Sequence, residues 1–122
     1  MTFKLSQKSK DRLNGVDERL VRVVNRAIEL TEIDFAVSEG LRSPERQIEL
    51  VNKGFSQTLK SKHLTGHAVD LAAFVDGKIS WEKPFYYKIA DAMKKAAEEQ
   101  QVAIRWGGDF KSFFDGPHFE LV

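Results

Sequence analysis

In "AVDLAAFVDGKIS", residues 68–80, Asp76 and Gly77 stand between two apolar runs. Asp-Gly in that place is the strongest short-range signal for a two-residue hairpin turn. A hairpin commits this part of the chain to antiparallel pairing. The segments around it carry helical periodicity instead. After Asp17, an N-cap residue, Leu20, Val23, Val24, Ala27 and Ile28 recur at helical spacing with charges between them, which predicts a helix with one buried face. "SPERQIELVNKG" opens on Ser43 as N-cap with Pro44 at the first helical position and closes on Gly54. A second long helix follows Ser80, with Phe85, Ile89, Met93, Ala96 and Ala97 on one side, and ends near Gln101. "DFAVSEG" predicts a short strand ending at Gly40. "VAIRWGG" and "PHFELV" predict the last two strands, joined by a loop rich in Gly, Asp and Phe. The expected fold is α+β, a small, mostly antiparallel sheet with helices packed on one face.

A chain of 122 residues, 42% hydrophobic and 30% charged, has room for one core and the balance of a soluble globular domain. No Pro/Gly/Ser-rich run, low-complexity tract or repeat divides it, so residues 1–122 are expected to form a single domain. The net charge of +1 argues against sequence-independent nucleic-acid binding, although Lys8, Lys10 and Arg12 form a local basic cluster. The N-terminus has no apolar stretch of signal-peptide length, and about 18 consecutive apolar residues occur nowhere, so no stable membrane insertion is expected.

The chain has no cysteine, so a transition-metal site must be built from His, Asp and Glu, and there are only three histidines. Two of them, His63 and His67, fall in "SKHLTGHAVDLAAF" with Asp70; the third is His118 in "FDGPHFELV". Alternation along a strand puts Asp70 on one face with Ala68 and Ala72, whose small side chains leave room beside it. Thr65-Gly66 offers a flexible point where the chain can turn, so that His63 and Asp70 converge. His118 and Glu120 share a face of the last strand, while Phe119 and Leu121 point into the core. Two histidines and one carboxylate from separate segments, with a position open for water, suit a catalytic zinc site. "HLTGH" lacks the glutamate of the helical zinc-peptidase motif, and Gly66 is a poor helix residue. His67 could replace His63 as a ligand, but parity places it opposite Asp70, in a structural or substrate-lining role.

"SKHLTGHAVDL" resembles the Ser-x-His-x-x-Gly-x-Ala-x-Asp signature of the zinc D-Ala-D-Ala peptidases, the VanY-like carboxypeptidases, vancomycin-resistance dipeptidases and phage L-alanyl-D-glutamate endopeptidases. The second half of that signature, an acid three residues before a histidine, is "DGPH". From "DFAVSEGLRSPERQ" to "WGGDFKSFFDGPHFEL" the whole chain is similar to the compact phage endolysin branch. The resemblance implies a hedgehog/DD-peptidase type fold and makes His63, Asp70 and His118 the ligands of Zn2+. It makes Asp115 the general base, which otherwise would only form a turn with Gly116 before Pro117. Arg42 matches an arginine that stabilises negative charge on the carbonyl oxygen; without the resemblance it would equally be a surface ion-pair partner. Ser61 matches the first signature position, and Gln47 lies in the same "RSPERQ" segment as Arg42 as a candidate substrate contact. Trp106, with Gly107, Gly108 and Asp109, matches a loop beside the cleft, as core or as substrate lining. Glu120 is a rival base by strand parity, and its expected task is to hydrogen-bond a ligand or substrate group.

The resemblance implies a zinc endolysin that hydrolyses the L-alanyl-D-glutamate bond of peptidoglycan. A D,D-carboxypeptidase or dipeptidase, or a non-catalytic zinc module binding the cell wall, are the alternatives. It further implies a monomer without a separate wall-binding domain, held in the host cytoplasm until a holin gives access to the wall in the periplasm. The basic N-terminal residues are expected to form a solvated helix end rather than a lipid contact.

Overall fold

The computed structural model describes residues 2–55 and 61–122. Five strands form one sheet: β1 (Phe35–Glu39), β2 (Ala68–Val75), β3 (Lys78–Ser80), β4 (Ile104–Trp106) and β5 (His118–Leu121). Their order is β1-β2-β5-β4, and every recorded pair is antiparallel. Ala73 pairs with Phe35 and with Ser80, so β3 lies on the edge of β2 opposite β1, beyond β5. The β2–β3 turn is the Asp76-Gly77 hairpin, with both residues at positive φ as that turn demands.

Alternation divides the sheet into two faces. Val37, Val69, Leu71, Ala73, Phe119 and Leu121 join the core on one face. Helix α2 (Glu18–Leu30) covers it with Leu20, Val23, Val24, Ala27 and Ile28, and α4 (Lys83–Gln100) with Ile89, Met93, Ala96 and Ala97. The other face carries Asp70, His118 and Glu120, bordered by α3 (Pro44–Asn52). Both predicted N-caps are in place: Asp17 accepts from the Arg19 N–H and Ser43 from the Arg46 N–H.

Helix α1 (Gln7–Arg12) is an element the sequence reading did not assign. Ser6 caps it, and it lies along β1. The buried Ser9 Oγ accepts from the Val37 N–H at 2.9 Å, and Arg12 Nη1 donates to the Val37 carbonyl at 3.1 Å. Both outward backbone groups of Val37 are thereby satisfied. Arg12 is thus a structural anchor rather than a free member of the basic cluster.

The expected flexible point at Thr65-Gly66 is instead a closed 3-10 turn, Lys62–Thr65, ended by Gly66 at φ +76°. A Cβ on Gly66 would meet the Gly15 carbonyl oxygen at 2.4 Å, and the Gly66 carbonyl accepts from the Asp17 N–H at 2.7 Å. The turn is locked against the start of α2, which gives His63 one position.

Candidate metal centre and cleft

The turn that carries His63 is tied at both ends. Ser61 Oγ accepts from the His63 N–H, and the His63 carbonyl accepts from the Arg42 N–H at 2.9 Å. Within the imidazole, Nδ1 donates to the Gly40 carbonyl oxygen at 2.9 Å, which leaves Nε2 without a proton in the neutral ring. That nitrogen faces Asp70 Oδ1 at 3.2 Å. His118 repeats the arrangement with its nitrogens exchanged: Nε2 donates to Glu120 Oε1 at 2.8 Å, and Nδ1 faces Asp70 Oδ1 at 3.3 Å. The three inward atoms lie within 4.8 Å of one another.

Two bare ring nitrogens and an ionised carboxylate all present lone pairs, an arrangement that a shared proton or a metal cation would relieve. The outer nitrogen of each ring is already fixed by an oxygen acceptor, as ligating histidines require. Nitrogen and oxygen donors at this spacing fit a zinc-like divalent ion. The proton-bound form has its own electrostatic record. Burial raises the pKa of Asp70, but hydrogen bonds to His118 and His63 outweigh it, and the carboxyl is held far below its ordinary range. Burial opposes the His118 imidazolium, yet the contacts with Asp70 and Glu120 prevail and its pKa is raised.

Around this centre opens a cleft of about 900 Å³. Asp115 lines it from the loop before β5. The Asp115 N–H donates to the Gly107 carbonyl at 3.0 Å, and its own carbonyl accepts from the His118 N–H at 3.2 Å. The segment is therefore the turn before Pro117 that its composition suggested, and it also presents a carboxylate to the cleft. Burial first, and the neighbouring Asp70 carboxylate second, raise the Asp115 pKa. Glu120 is differently engaged: burial raises its pKa, but hydrogen bonds from His118 and Lys62 lower it overall.

Arg42 is buried against the same wall. Its Nε and Nη2 donate to the two oxygens of Glu39 at 2.7 and 2.6 Å, and Nη1 donates to Gln47 Oε1 at 2.7 Å. Nη2 also lies 3.9 Å from Asp70 Oδ2. Gln47 is thus a buried partner of Arg42. Ser61 lines the cleft while capping the His63 turn.

Two candidates lie elsewhere. His67 points away, with Nδ1 at 2.6 Å from Thr65 Oγ1 and Nε2 at 3.7 Å from Asp17 Oδ2, and it does not line the cleft. Trp106 is buried behind the cleft. Its Nε1–H donates to the Gly116 carbonyl at 2.7 Å, and its ring packs against Tyr87, Phe114 and Phe119, so it braces the Asp115 loop from the core side.

Sequence reasoning missed Glu39, Lys62, Leu50, Phe55, Phe110 and Phe113, all of which line the cleft. Glu39 is the instructive case. Simple alternation from Phe35 and Val37 would aim it into the core, but the register slips between Val37 and Glu39 and sets Glu39 opposite Asp70. A strand bulge has no sequence signature of its own here. The spacing "EGLR", an acid three residues before Arg42, was the available signal.

A family model described as phage L-alanyl-D-glutamate peptidase matches residues 1–122. The L-alanyl-D-glutamate peptidase of Escherichia phage T5 is 31% identical over 137 residues that span all of both chains. The peptidoglycan L-alanyl-D-glutamate endopeptidase CwlK of Bacillus subtilis (strain 168) is 30% identical over 103 residues, covering 74% of this chain and 62% of that protein. The crystal structure of the Serratia marcescens L-Ala D-Glu endopeptidase ChiX superposes with a TM-score of 0.94 at 47% identity, over 99% of this chain and 91% of that one.

Proposed function

The chain belongs to the phage L-alanyl-D-glutamate peptidase family, and from that premise we propose that it is a zinc endolysin cutting the L-alanyl-D-glutamate bond of peptidoglycan stem peptides. The observation that carries this reading is the convergence of His63 Nε2, Asp70 Oδ1 and His118 Nδ1 in a cleft that Asp115 and Arg42 also line. Zinc held by these three atoms would lower the pKa of a water and polarise the peptide carbonyl.

The chain's own groups supply the rest. Asp115 takes the proton of the attacking water and returns it to the leaving amine; its raised pKa suits a group that must both accept and release. Glu120 is the weaker candidate for that task, since its oxygens are occupied by His118 and Lys62 and its pKa is lowered. It orients His118 instead. Glu39 and Gln47 fix the Arg42 guanidinium before substrate arrives. Each terminal nitrogen has a second hydrogen beyond those bonds, so Arg42 can still donate to the developing oxyanion.

Residues 1–122 act in this reading as one catalytic domain and as a monomer, reaching the wall from the host cytoplasm through a membrane opened by a holin. Among the described residues no helix is long and apolar enough to cross a membrane.

Mass spectrometry of purified peptidoglycan digested by the zinc-loaded protein, beside a chelated control, tests the reading. New fragments with N-terminal D-glutamate that disappear on chelation are expected. Release of terminal D-alanine would move the protein to the carboxypeptidases, and intact peptidoglycan with zinc bound would make it a binding module.

A further inference from the structure

We propose that Lys62 is a specificity residue that reads the free carboxylate of the D-glutamyl residue, so that the enzyme prefers stem peptides whose D-glutamate is not amidated. The proposal rests on the activity just given and names a substrate class within it.

The chemistry of the bond sets the requirement. Glutamate has two carboxyl groups, and the stem continues through only one. The other remains on the leaving-group side of the scissile amide, either ionised or capped as a carboxamide. The cleft is a poor host for an anion without a dedicated cation, because four carboxylates line it: Glu39, Asp70, Asp115 and Glu120. A divalent ion held by His63, Asp70 and His118 would be matched to the reacting carbonyl, which leaves the remaining negative charge to the protein.

Among the described residues two cationic side chains line the cleft, Arg42 and Lys62. Arg42 is buried, pairs with both oxygens of Glu39 and donates to Gln47, and its remaining N–H hydrogens are the ones assigned above to the developing oxyanion. Lys62 is 44% exposed. Its ammonium donates to the Leu121 carbonyl at 2.5 Å and contacts Glu120 Oε2 at 3.1 Å, so of its three donors one remains for a ligand. A compact charge on a flexible stem can follow a substrate carboxylate in a way that a clamped guanidinium cannot.

Two constraints hold that charge beside the chemistry. Lys62 directly precedes His63 on the 3-10 turn, and its backbone carbonyl accepts from the His67 N–H at 2.9 Å. Its contact Glu120 also accepts from His118. The ammonium is therefore one carboxylate away from His118, in the same cleft as the three converging atoms of His63, Asp70 and His118.

The same contacts allow a simpler role, in which Lys62 only neutralises Glu120, and the experiment separates the two. Steady-state kinetics are measured on two peptides that differ only in a D-glutamyl carboxylate or carboxamide, with the zinc-loaded wild type, Lys62→Met and Lys62→Arg. The wild type should favour the carboxylate peptide by about tenfold in kcat/KM, the scale of a half-exposed charged hydrogen bond. That preference should lie mostly in KM. Lys62→Met should lose it by losing ground on the carboxylate peptide alone, and Lys62→Arg should keep it. Equal losses on both peptides with the preference intact would overturn the proposal, as would a wild type without preference, a result that needs no variant. Failure to cut either peptide between L-alanine and D-glutamate would instead overturn the activity itself, and the proposal with it.

Discussion

Asp115 pays for its place in the cleft with stability, because burial and the Asp70 carboxylate both disfavour its ionised form. With a raised pKa in the fold, the folded chain holds more protons than the unfolded chain between the two values. Stability therefore falls as pH rises through that interval. Asp115→Asn removes this ionisation and also removes the proposed base. The variant should lose about 10²–10⁴-fold in kcat while keeping bound zinc, and its metal-free form should melt higher than the metal-free wild type at neutral pH. Turnover, zinc content and thermal melting measure all three; near-full activity with zinc bound would end the assignment of Asp115 as base. At this scale, local motifs were legible and diversions of the backbone were not. Asp70 and His118 share a sheet face as strand alternation suggested, whereas His63 reaches them from a locked turn rather than the expected flexible point. Glu39 did not declare itself, because one slipped residue reverses the face on which its side chain emerges.

Among the elements, the loop between β4 and β5 is the one whose shape the site depends on most directly. Gly107 lets the loop close on itself: a Cβ there would sit 2.2 Å from the Asp115 carbonyl oxygen and 3.0 Å from His118 Cβ. Gly107→Ala must therefore displace the segment carrying Asp115, and a shift of about 1 Å at a reacting group can cost 10²-fold. The expected result is a large fall in kcat with a much smaller change in the denaturation midpoint, because α2 and α4 pack elsewhere. An alanine variant with wild-type turnover would show that the close approach has no bearing on the reaction. The longer elements were readable from their caps and periodicity: Asp17, Ser43 and Asp76-Gly77 each mark a boundary that the fold observes. Helix α1 and the Lys62–Thr65 turn were not, since six and four residues are too few to show a helical repeat.

In the molecule as a whole, the sheet separates the two halves of the problem, with the hydrophobic core on one face and the side chains that could hold a metal on the other. Chelation should therefore abolish activity while leaving the far-ultraviolet circular dichroism nearly unchanged, and should lower the melting temperature. The size of that drop should depend on pH. In the metal-free protein the raised pKa of His118 contributes stability that is fully present below the ordinary histidine value of about 6.5. It is lost as pH rises through the folded value. Protons also compete with the metal for the same nitrogens, so the gap in melting temperature between loaded and metal-free protein should widen with rising pH. A gap that is constant from acid to mildly alkaline pH would contradict a metal held by His63 and His118. The division into two faces followed from alternation in the sequence, whereas the strand order, which joins residues distant along the chain, required the structure. The contact of α1 with β1 has a consequence of another kind. A bare sheet margin is a template on which a second chain can add a strand, and crowded proteins polymerise by that route. Here Ser9 and Arg12 occupy the backbone groups of Val37 at one margin, and β4, at the other end of the sheet, is only three residues long. With β3, off the main path, equally short, the described sheet offers a second chain little continuous edge to extend.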